Sequence, residues 1–477
     1  MINAPAESLI ANIHEKTLDL LARYGVAFED AEALEFLEKR GARIGEGSRG
    51  GRRVKFPPKL VEEALGTAPE SFYLSSRSGA RDFGVGGDYP QAYGPGAGMT
   101  MILEAGGRRQ ASFEDAENFL KLAHTSRCCS VSAAGLLYPA GLPAEEALRL
   151  QLFNALKLSD KPLFGLTQDA AYAADSIAMA GIACGVDPAS AGPPRYTCMG
   201  IVNSLSPLAW DGKMLASMRV FARERQPLIA ASCAMSGATA HVSLAGTLVS
   251  TNAEVLAGII YMQLLSPGTP VIYGNTSGIT DMATMSLSIG APECTLLAAA
   301  SAALARHYRL PCRTGGALCD SGTVGIQAGA ESMLNLLNTV MSGADFVLQA
   351  LGVMESFLSI SYEKWLFDEE IIDKAIRFRV GIEPPAAGLV DEIIGAMSEE
   401  GGFLGHESTT SRFRDEFLFP VLSSRGDADK KDFYAAALEL RNRRLADYAA
   451  PSLPAGVEAA LRNFIPGKES RDSMRAQ

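Results

Sequence analysis

The chain has 477 residues, 47% of them hydrophobic and 20% charged, with a net charge of −11 and no concentrated block of Lys or Arg. That composition supports a large buried core, and it argues against a nucleic-acid partner, whose phosphates demand clustered cations. The eight cysteines show no CxxC pair and no regular spacing, so zinc knuckles and a disulfide framework are poorly supported and a reducing, cytoplasmic setting is expected.

Residues 6–24 and 29–40 carry apolar side chains at helical spacing and predict two helices. The first is amphipathic rather than a basic segment with an apolar core, so no signal peptide is expected. From 52 to 110, short β-prone pieces alternate with Gly/Pro turns, notably GVGGDYPQAYGPGAG at 84–98, which predicts a small β-rich insertion. Ser112-Phe113-Glu114-Asp115 then caps a helix running to about residue 123. From residue 130 the pattern changes to βα alternation. Strands are predicted at 130–136, 162–167, 196–203, 227–232, 270–273, 310–314 and 344–348. Helices fill the gaps at 144–158, 171–185, 208–224, 241–265, 292–308 and 326–342.

Those seven units, with an eighth strand placed near 401–404, predict an α/β fold closed into a (β/α)8 TIM barrel. The expected division is an N-terminal helical and β-rich extension over 1–125, the barrel over 126–420 and C-terminal helices over 421–477. An open dinucleotide-binding sheet would want GxGxxG between its first strand and helix, and the glycines at 84–87 and 94–96 open no helix. The longest apolar stretches, such as 255–265, are too short to span a bilayer. Residues 430–449 read as a charged helix, and the tail from 466 as frayed.

In such a barrel the loops after the strand C-termini build the active site. The stretch 270–331 holds two long, polar, glycine-rich βα loops and is the first place to look. The five histidines are scattered without HxH or HExxH spacing, so no resident metal is expected. There is no GxSxG nucleophile either. What remains is a ring of polar residues: Asn203 with Ser204 and Ser206, the run 236–239, Asn275 and Asp281, then Arg313, Asp320 and Gln327, and finally Gln349. Helix capping is the simpler reading for Asp211 and Glu293, while Asp281 and Asp320 divide evenly between capping and chemistry. Tyr93, Tyr138, Phe164, Trp210, Tyr273 and Phe357 are each more simply core residues. Together they would make a cage for a quaternary ammonium ion.

Six of these pieces, in order, resemble the trimethylamine methyltransferase family: NSLSPLAWD (203–211), SGATAHVSLAGTLVSTNAE (236–254), PGTPVIYGN (267–275), DMATMSLSIGAPE (281–293), DSGTVGIQAGAE (320–331) and GGFLGHESTTSRFR (401–414). The family consists of large (β/α)8 enzymes that pass a methyl group to a cobalt corrinoid protein. Members that demethylate trimethylamine carry pyrrolysine near the loop that here reads Asp-Ser-Gly-Thr-Val-Gly, 320–325. Ser408-Thr409 stands where the family usually offers His-Thr, and His241 where proline is commoner.

The resemblance implies a methyltransferase that moves a methyl group from a quaternary amine, glycine betaine or a related betaine, to the cob(I)alamin of a corrinoid partner. No pyrrolysine is needed, because a quaternary ammonium already contains a neutral amine as leaving group. The corrinoid comes with the partner, no bound metal is expected, and a homo-oligomer is plausible, without membrane or nucleic acid. By the same resemblance Asp281, Glu331 and Asp320 are candidate acids near the reacting cation. Tyr93, Phe164, Asn203, Tyr273, Asn275, Arg313, Gln327, Gln349 and Phe357 are the candidate substrate-binding residues. Two alternatives stay open: a barrel lyase using acid/base carboxylates, and a non-catalytic barrel that binds a quaternary amine or docks a corrinoid protein.

Overall fold

The computed structural model describes residues 5–47, 52–141, 143–186, 194–398, 402–426 and 432–465. Eight parallel strands form one sheet: β1 (Ala92–Tyr93), β2 (Ser132–Ala133), β3 (Leu163–Phe164), β4 (Cys198–Asn203), β5 (Leu228–Ser232), β6 (Val271–Asn275), β7 (Cys312–Gly315) and β8 (Phe346–Leu348). Each is followed by a helix: α1 (Phe113–Thr125), α2 (Ala144–Lys157), α3 (Ala170–Ala183), α4 (Gly212–Arg223), α5 (Leu244–Leu265), α6 (Pro292–His307), α7 (Ile326–Ser342) and α8 (Tyr362–Val380). The strands neighbour one another in chain order, except that β1 pairs with β8. The Ser130 N–H donates to the Tyr93 carbonyl at 2.7 Å and the Gly98 N–H to the Gly135 carbonyl at 2.9 Å, so β1 also meets the approach to β2. The sheet therefore closes into a barrel.

The strand that completes the barrel is not the one expected. Residues 402–405 are helical, and Gly401 lies outside the described residues. The eighth strand is Ala92–Tyr93, from the stretch assigned to the N-terminal extension, and the barrel runs from Ala92 to Val380. Two residues among glycines and prolines carry no alternation to read. Long-range ladder bonds make them a strand: the Ala92 N–H reaches the Asp345 carbonyl at 2.9 Å, and the Gly94 N–H reaches that of Val347 at 2.8 Å.

Local signals explain most of the helices. Ser112 and Asp115 form a reciprocal capping box at the start of α1. Asp169, Asp211 and Ser243 cap α3, α4 and α5. Helix α5, at 22 residues, is long and apolar enough to cross a membrane by composition, but 78% of its most apolar window is buried against the barrel. Among the N-terminal elements, the hairpin Ser71–Leu74 with Phe83–Gly86 pushes Phe72, Leu74 and Val85 into the N-terminal end of the barrel. There they pack on Phe164, Met199, Ile229, Ile272 and Phe346. The lower lumen is a filled core, so only the C-terminal mouth is left for a ligand.

The segment after α8 is pinned back by Glu370, whose carboxylate accepts the N–H groups of Val421, Leu422 and Ser423 and pairs with Lys374 at 2.8 Å. Burial works to raise its pKa, but bonds from Lys374, Ser423 and the Leu422 N–H outweigh it and hold the carboxyl at about 2. A depressed carboxyl adds stability above its ordinary value of 4.5, and that stability is lost as pH falls toward about 2. Glu370→Gln should therefore flatten the loss of melting temperature over that acid range. An unchanged acid slope would show that other carboxylates carry it.

Candidate active site

The alternation of side chains along a strand decides which residues reach the mouth. On β6, Ile272 and Gly274 face the lumen, while Tyr273 and Asn275 face outward. The Tyr273 hydroxyl donates to Asn252 Oδ1 at 3.0 Å, and Asn275 Nδ2 donates to Thr251 Oγ1 at 3.3 Å, both partners lying on α5. On β7 the inward residue is Arg313, in register with Gly274. Its side chain is 1% exposed, yet no carboxylate lies within ion-pair distance among the described residues. One terminal nitrogen donates to Thr276 Oγ1 and the other to Gln349 Oε1, while Nε has no partner. Burial drags the guanidinium down to about 10, the penalty paid by a cation that has left water without a counter-ion.

Beside it, after β5, lies Cys233. The residue is exposed, although Ser232 and Ala234 on either side are buried. Burial nevertheless pushes the thiol up. Its Sγ lies 3.6 Å from the Thr276 carbonyl oxygen. Cys233, Thr276, Arg313 and Gln349 thus line the mouth at the ends of β5 to β8, and Asn203, exposed at the end of β4, comes next round the barrel. Gln349 holds its place with φ of +52°, in the left-handed region that a branched or long side chain rarely adopts. Glu355, Ser356 and Phe357 share it, at +49°, +49° and +79°. Such clustered strain is characteristic of ligand sites.

The expected acids hold loops together. Asp320 accepts four donors: Ser288 Oγ at 2.5 Å, the Ile289 N–H at 2.8 Å, the Gly290 N–H at 2.9 Å and Ser356 Oγ at 2.6 Å. Its own N–H donates to Glu331 Oε2 at 2.8 Å, and Gln327 Nε2 donates to Glu331 Oε1 at 2.7 Å. The structure therefore brings Asp320, Glu331 and Gln327 together, tying the loops after β6, β7 and β8. Phe357 packs nearby, on Ile289, Cys294 and Leu318. Asp281 stands apart and exposed at a hairpin, where the Ala283 and Thr284 N–H groups hold its carboxyl below the usual range.

The aromatic residues do not gather as a set: Tyr138 stays on the loop after β2, its hydroxyl accepting from Gln168 Nε2 at 2.8 Å, and Phe357 on the loop after β8, but the others turn away. Tyr93 faces outward, its hydroxyl 3.4 Å from Gln91 Oε1. Phe164 stacks on Phe346 in the lower lumen, with centroids 6.2 Å apart. Trp210 is fully buried behind β4. Sequence reading missed Thr276, Cys233 and Glu254. The last had a visible signal: it is the lone charged residue of the apolar helix α5.

A closed eight-stranded barrel with its lower half filled and an isolated buried cation at the floor of its mouth defines a (β/α)8 enzyme with a single-ended small-molecule site. A family model for trimethylamine methyltransferase (MTTB) matches residues 2–472, and the chain belongs to that family. It is 37% identical to the glycine betaine methyltransferase of Desulfitobacterium hafniense (strain Y51), over 98% of both chains. It is 32% identical to the proline betaine:corrinoid methyltransferase of Eubacterium limosum, over 96% of both. The fold also matches the crystal structure of the Methanosarcina barkeri monomethylamine methyltransferase, with a TM-score of 0.55 at 12% identity over 94% of this chain and 89% of that one.

Proposed function

We propose that this protein transfers a methyl group from a betaine, glycine betaine or a close analogue, to the cob(I)alamin of a corrinoid protein. The observation that carries the reading is Arg313, a buried guanidinium without a carboxylate partner at the floor of the mouth. A substrate carboxylate would supply the missing partner through charge-assisted hydrogen bonds. Gln349 and Thr276 would hold the guanidinium plane, and the trimethylammonium end would point up toward the opening. Cobalt(I) then attacks one N-methyl carbon in line. The Co–C bond forms with the cobalt electron pair, the C–N bond breaks, and its pair stays on nitrogen as a neutral tertiary amine. No proton is moved, so the protein's work is orientation and exclusion of water. The loop 320–325, built of ordinary residues, suits a donor that needs no further activation.

The test is methylation of cob(I)alamin, followed by its absorbance change, with glycine betaine, proline betaine and carnitine as donors. If none transfers and none binds, the reading fails. The free thiols of all eight cysteines support a reducing cytoplasm as the setting.

The corrinoid partner has a surface to meet. Five consecutive βα loops each raise an exposed apolar side chain at the rim: Leu205, Val242, Met282 with Met285, Ile326 and Leu358. Val242 is 72% exposed and Ile326 is 95% exposed. An arc of this kind, over five of the eight loops, is what a docking face requires. Val242→Glu with Ile326→Glu should slow methylation of the protein-bound corrinoid by about tenfold or more while sparing transfer to free cob(I)alamin. Equal slowing of both acceptors would move the docking face elsewhere.

A further inference from the structure

Among the helices that surround the barrel, a cavity of about 330 Å³ lies between α7, α8 and the C-terminal helix Phe433–Ala446. Its rim is half-buried and apolar, formed by Val324, Phe367, Phe433 and Tyr434. Its floor is closed: Ser332, Lys364 and Asp368 are each no more than 2% exposed. The sequence of α7 leaves the space, because Gly325, Ala328 and Gly329 put no bulk on the face that lines it. A Cβ at Gly329 would meet only the Phe367 ring, at 3.7 Å. The Phe367 and Phe433 rings stand edge to face with centroids 5.4 Å apart. The Tyr434 hydroxyl donates to the Val324 carbonyl at 2.6 Å, which ties the C-terminal helix to the loop after β7.

The floor holds a charge pair with unused capacity. Lys364 Nζ donates to Asp368 Oδ2 at 2.7 Å and to the Ala317 carbonyl at 3.1 Å, and the Gly352 N–H donates to the same Oδ2 at 2.7 Å. Asp368 Oδ1 and Ser332 Oγ have no hydrogen-bond partner among the described residues. Leaving such groups buried and unmet is costly. Burial raises the Asp368 carboxyl to about 6, against the pull of Lys364, the Gly352 N–H and Ser332. Ser332 therefore lies beside the carboxylate without closing a hydrogen bond to it. The two together call for one group that donates a hydrogen bond and accepts another. An alcohol hydroxyl does both. A ligand carboxylate would be repelled by Asp368, an ammonium would set a second cation beside Lys364, and a hydrocarbon would leave both groups unmet.

We propose that this cavity is a second small-molecule site, for an apolar alcohol whose hydroxyl donates to Asp368 Oδ1 and accepts from Ser332 Oγ while its body packs on Phe367 and Phe433. The site is separate from the mouth and does not depend on the betaine reading. Its ligand rests on Val324 and Gly325, at the end of the loop 320–325. At the other end of that loop Asp320 ties the loops of the mouth. Occupancy therefore stiffens a segment that also borders the methyl-donor site.

The experiment titrates the full chain with benzyl alcohol, toluene and benzoate by calorimetry, and follows hydrogen exchange at 321–325. Benzyl alcohol should bind about tenfold tighter than toluene, the worth of a hydroxyl that meets two waiting partners. Benzoate should not bind, and exchange at 321–325 should slow with benzyl alcohol. Gly329→Leu fills the cavity from a position with room for a Cβ. It should abolish binding of both ligands while the melting temperature holds or rises, because glycine is a poor helix former. Ser332→Ala, which spares the Lys364–Asp368 pair, should bring benzyl alcohol to within about threefold of toluene, and it decides the matter even if Gly329→Leu does not fold. Equal affinity of the wild type for benzyl alcohol and toluene would make the cavity an unspecific apolar hole. Binding of neither would leave the floor to water. Binding that survives Gly329→Leu, ignores Ser332→Ala or leaves exchange at 321–325 unchanged would put the ligand elsewhere. Each of these results overturns the proposal.

Discussion

Arg313→Met is expected to lower kcat/KM for glycine betaine by about 10²- to 10³-fold, the cost of leaving a carboxylate in a desolvated pit without its charge-assisted donor. The same substitution should leave the melting temperature unchanged or raise it. The residue is 1% exposed, has no carboxylate within ion-pair distance among the described residues, and has an unsatisfied Nε. Methionine of similar length removes that desolvation penalty and keeps the volume. Lost binding with retained or increased stability is the signature of a group kept for its ligand. Thermal unfolding together with betaine titration decides it. A large drop in melting temperature with affinity retained would make Arg313 a structural residue and remove the main support for a carboxylate-bearing substrate.

The second large effect is expected at Asp320. Asp320→Ala leaves the Ile289 and Gly290 N–H groups and the hydroxyls of Ser288 and Ser356 without their acceptor. Each unsatisfied buried group costs about 1–3 kcal/mol, so the loops after β6, β7 and β8 should loosen together. Methyl transfer should fall by about 100-fold or more, since misplacing a substrate-positioning loop by about 1 Å has that effect. Hydrogen exchange at 286–290 and 355–358 should rise in the variant. An acid/base role makes a different prediction. Displacement from a quaternary nitrogen moves no proton, so kcat of the wild type should be flat between about pH 6 and pH 9. A limb in that profile abolished by Asp320→Asn, with loop exchange unchanged, would assign Asp320 to proton transfer instead.

Asp320 also shows why a residue's importance is easier to read than its role. An acid in a glycine-rich βα loop of a barrel stands out in the sequence; the four donors that surround it come from two other loops. Tyr273 and Asn275 show a related limit. Both end a strand that points at the mouth, yet alternation sends them to α5, and the inward positions go to Ile272 and Gly274. The inward register follows from which face meets the core, which the uniformly apolar run Val271-Ile272-Tyr273 does not reveal. Glu254 went unnoticed because it lies far from any strand end, while its carboxylate reaches the loop after β4 through space.

Much was nevertheless determined by the chain alone. Local signals are strong where helices are long and capped, so the helices from α2 to α7 fall within a few residues of the positions their periodicity predicts. βα alternation was enough for the barrel, and ordered motifs from 203 to 414 were enough for the family. Tertiary structure decided what local pattern does not encode. Ala92–Tyr93 is a strand only because β8 offers it ladder bonds, and 402–405 is helical where the sequence near 401–404 predicts an eighth strand. It also decided the character of the site. Arg313 reads as one more polar residue near a strand end; only its burial without a counter-ion among the described residues singles it out as a candidate for a ligand. Charge and burial are properties of the folded assembly, because desolvation depends on every neighbour at once.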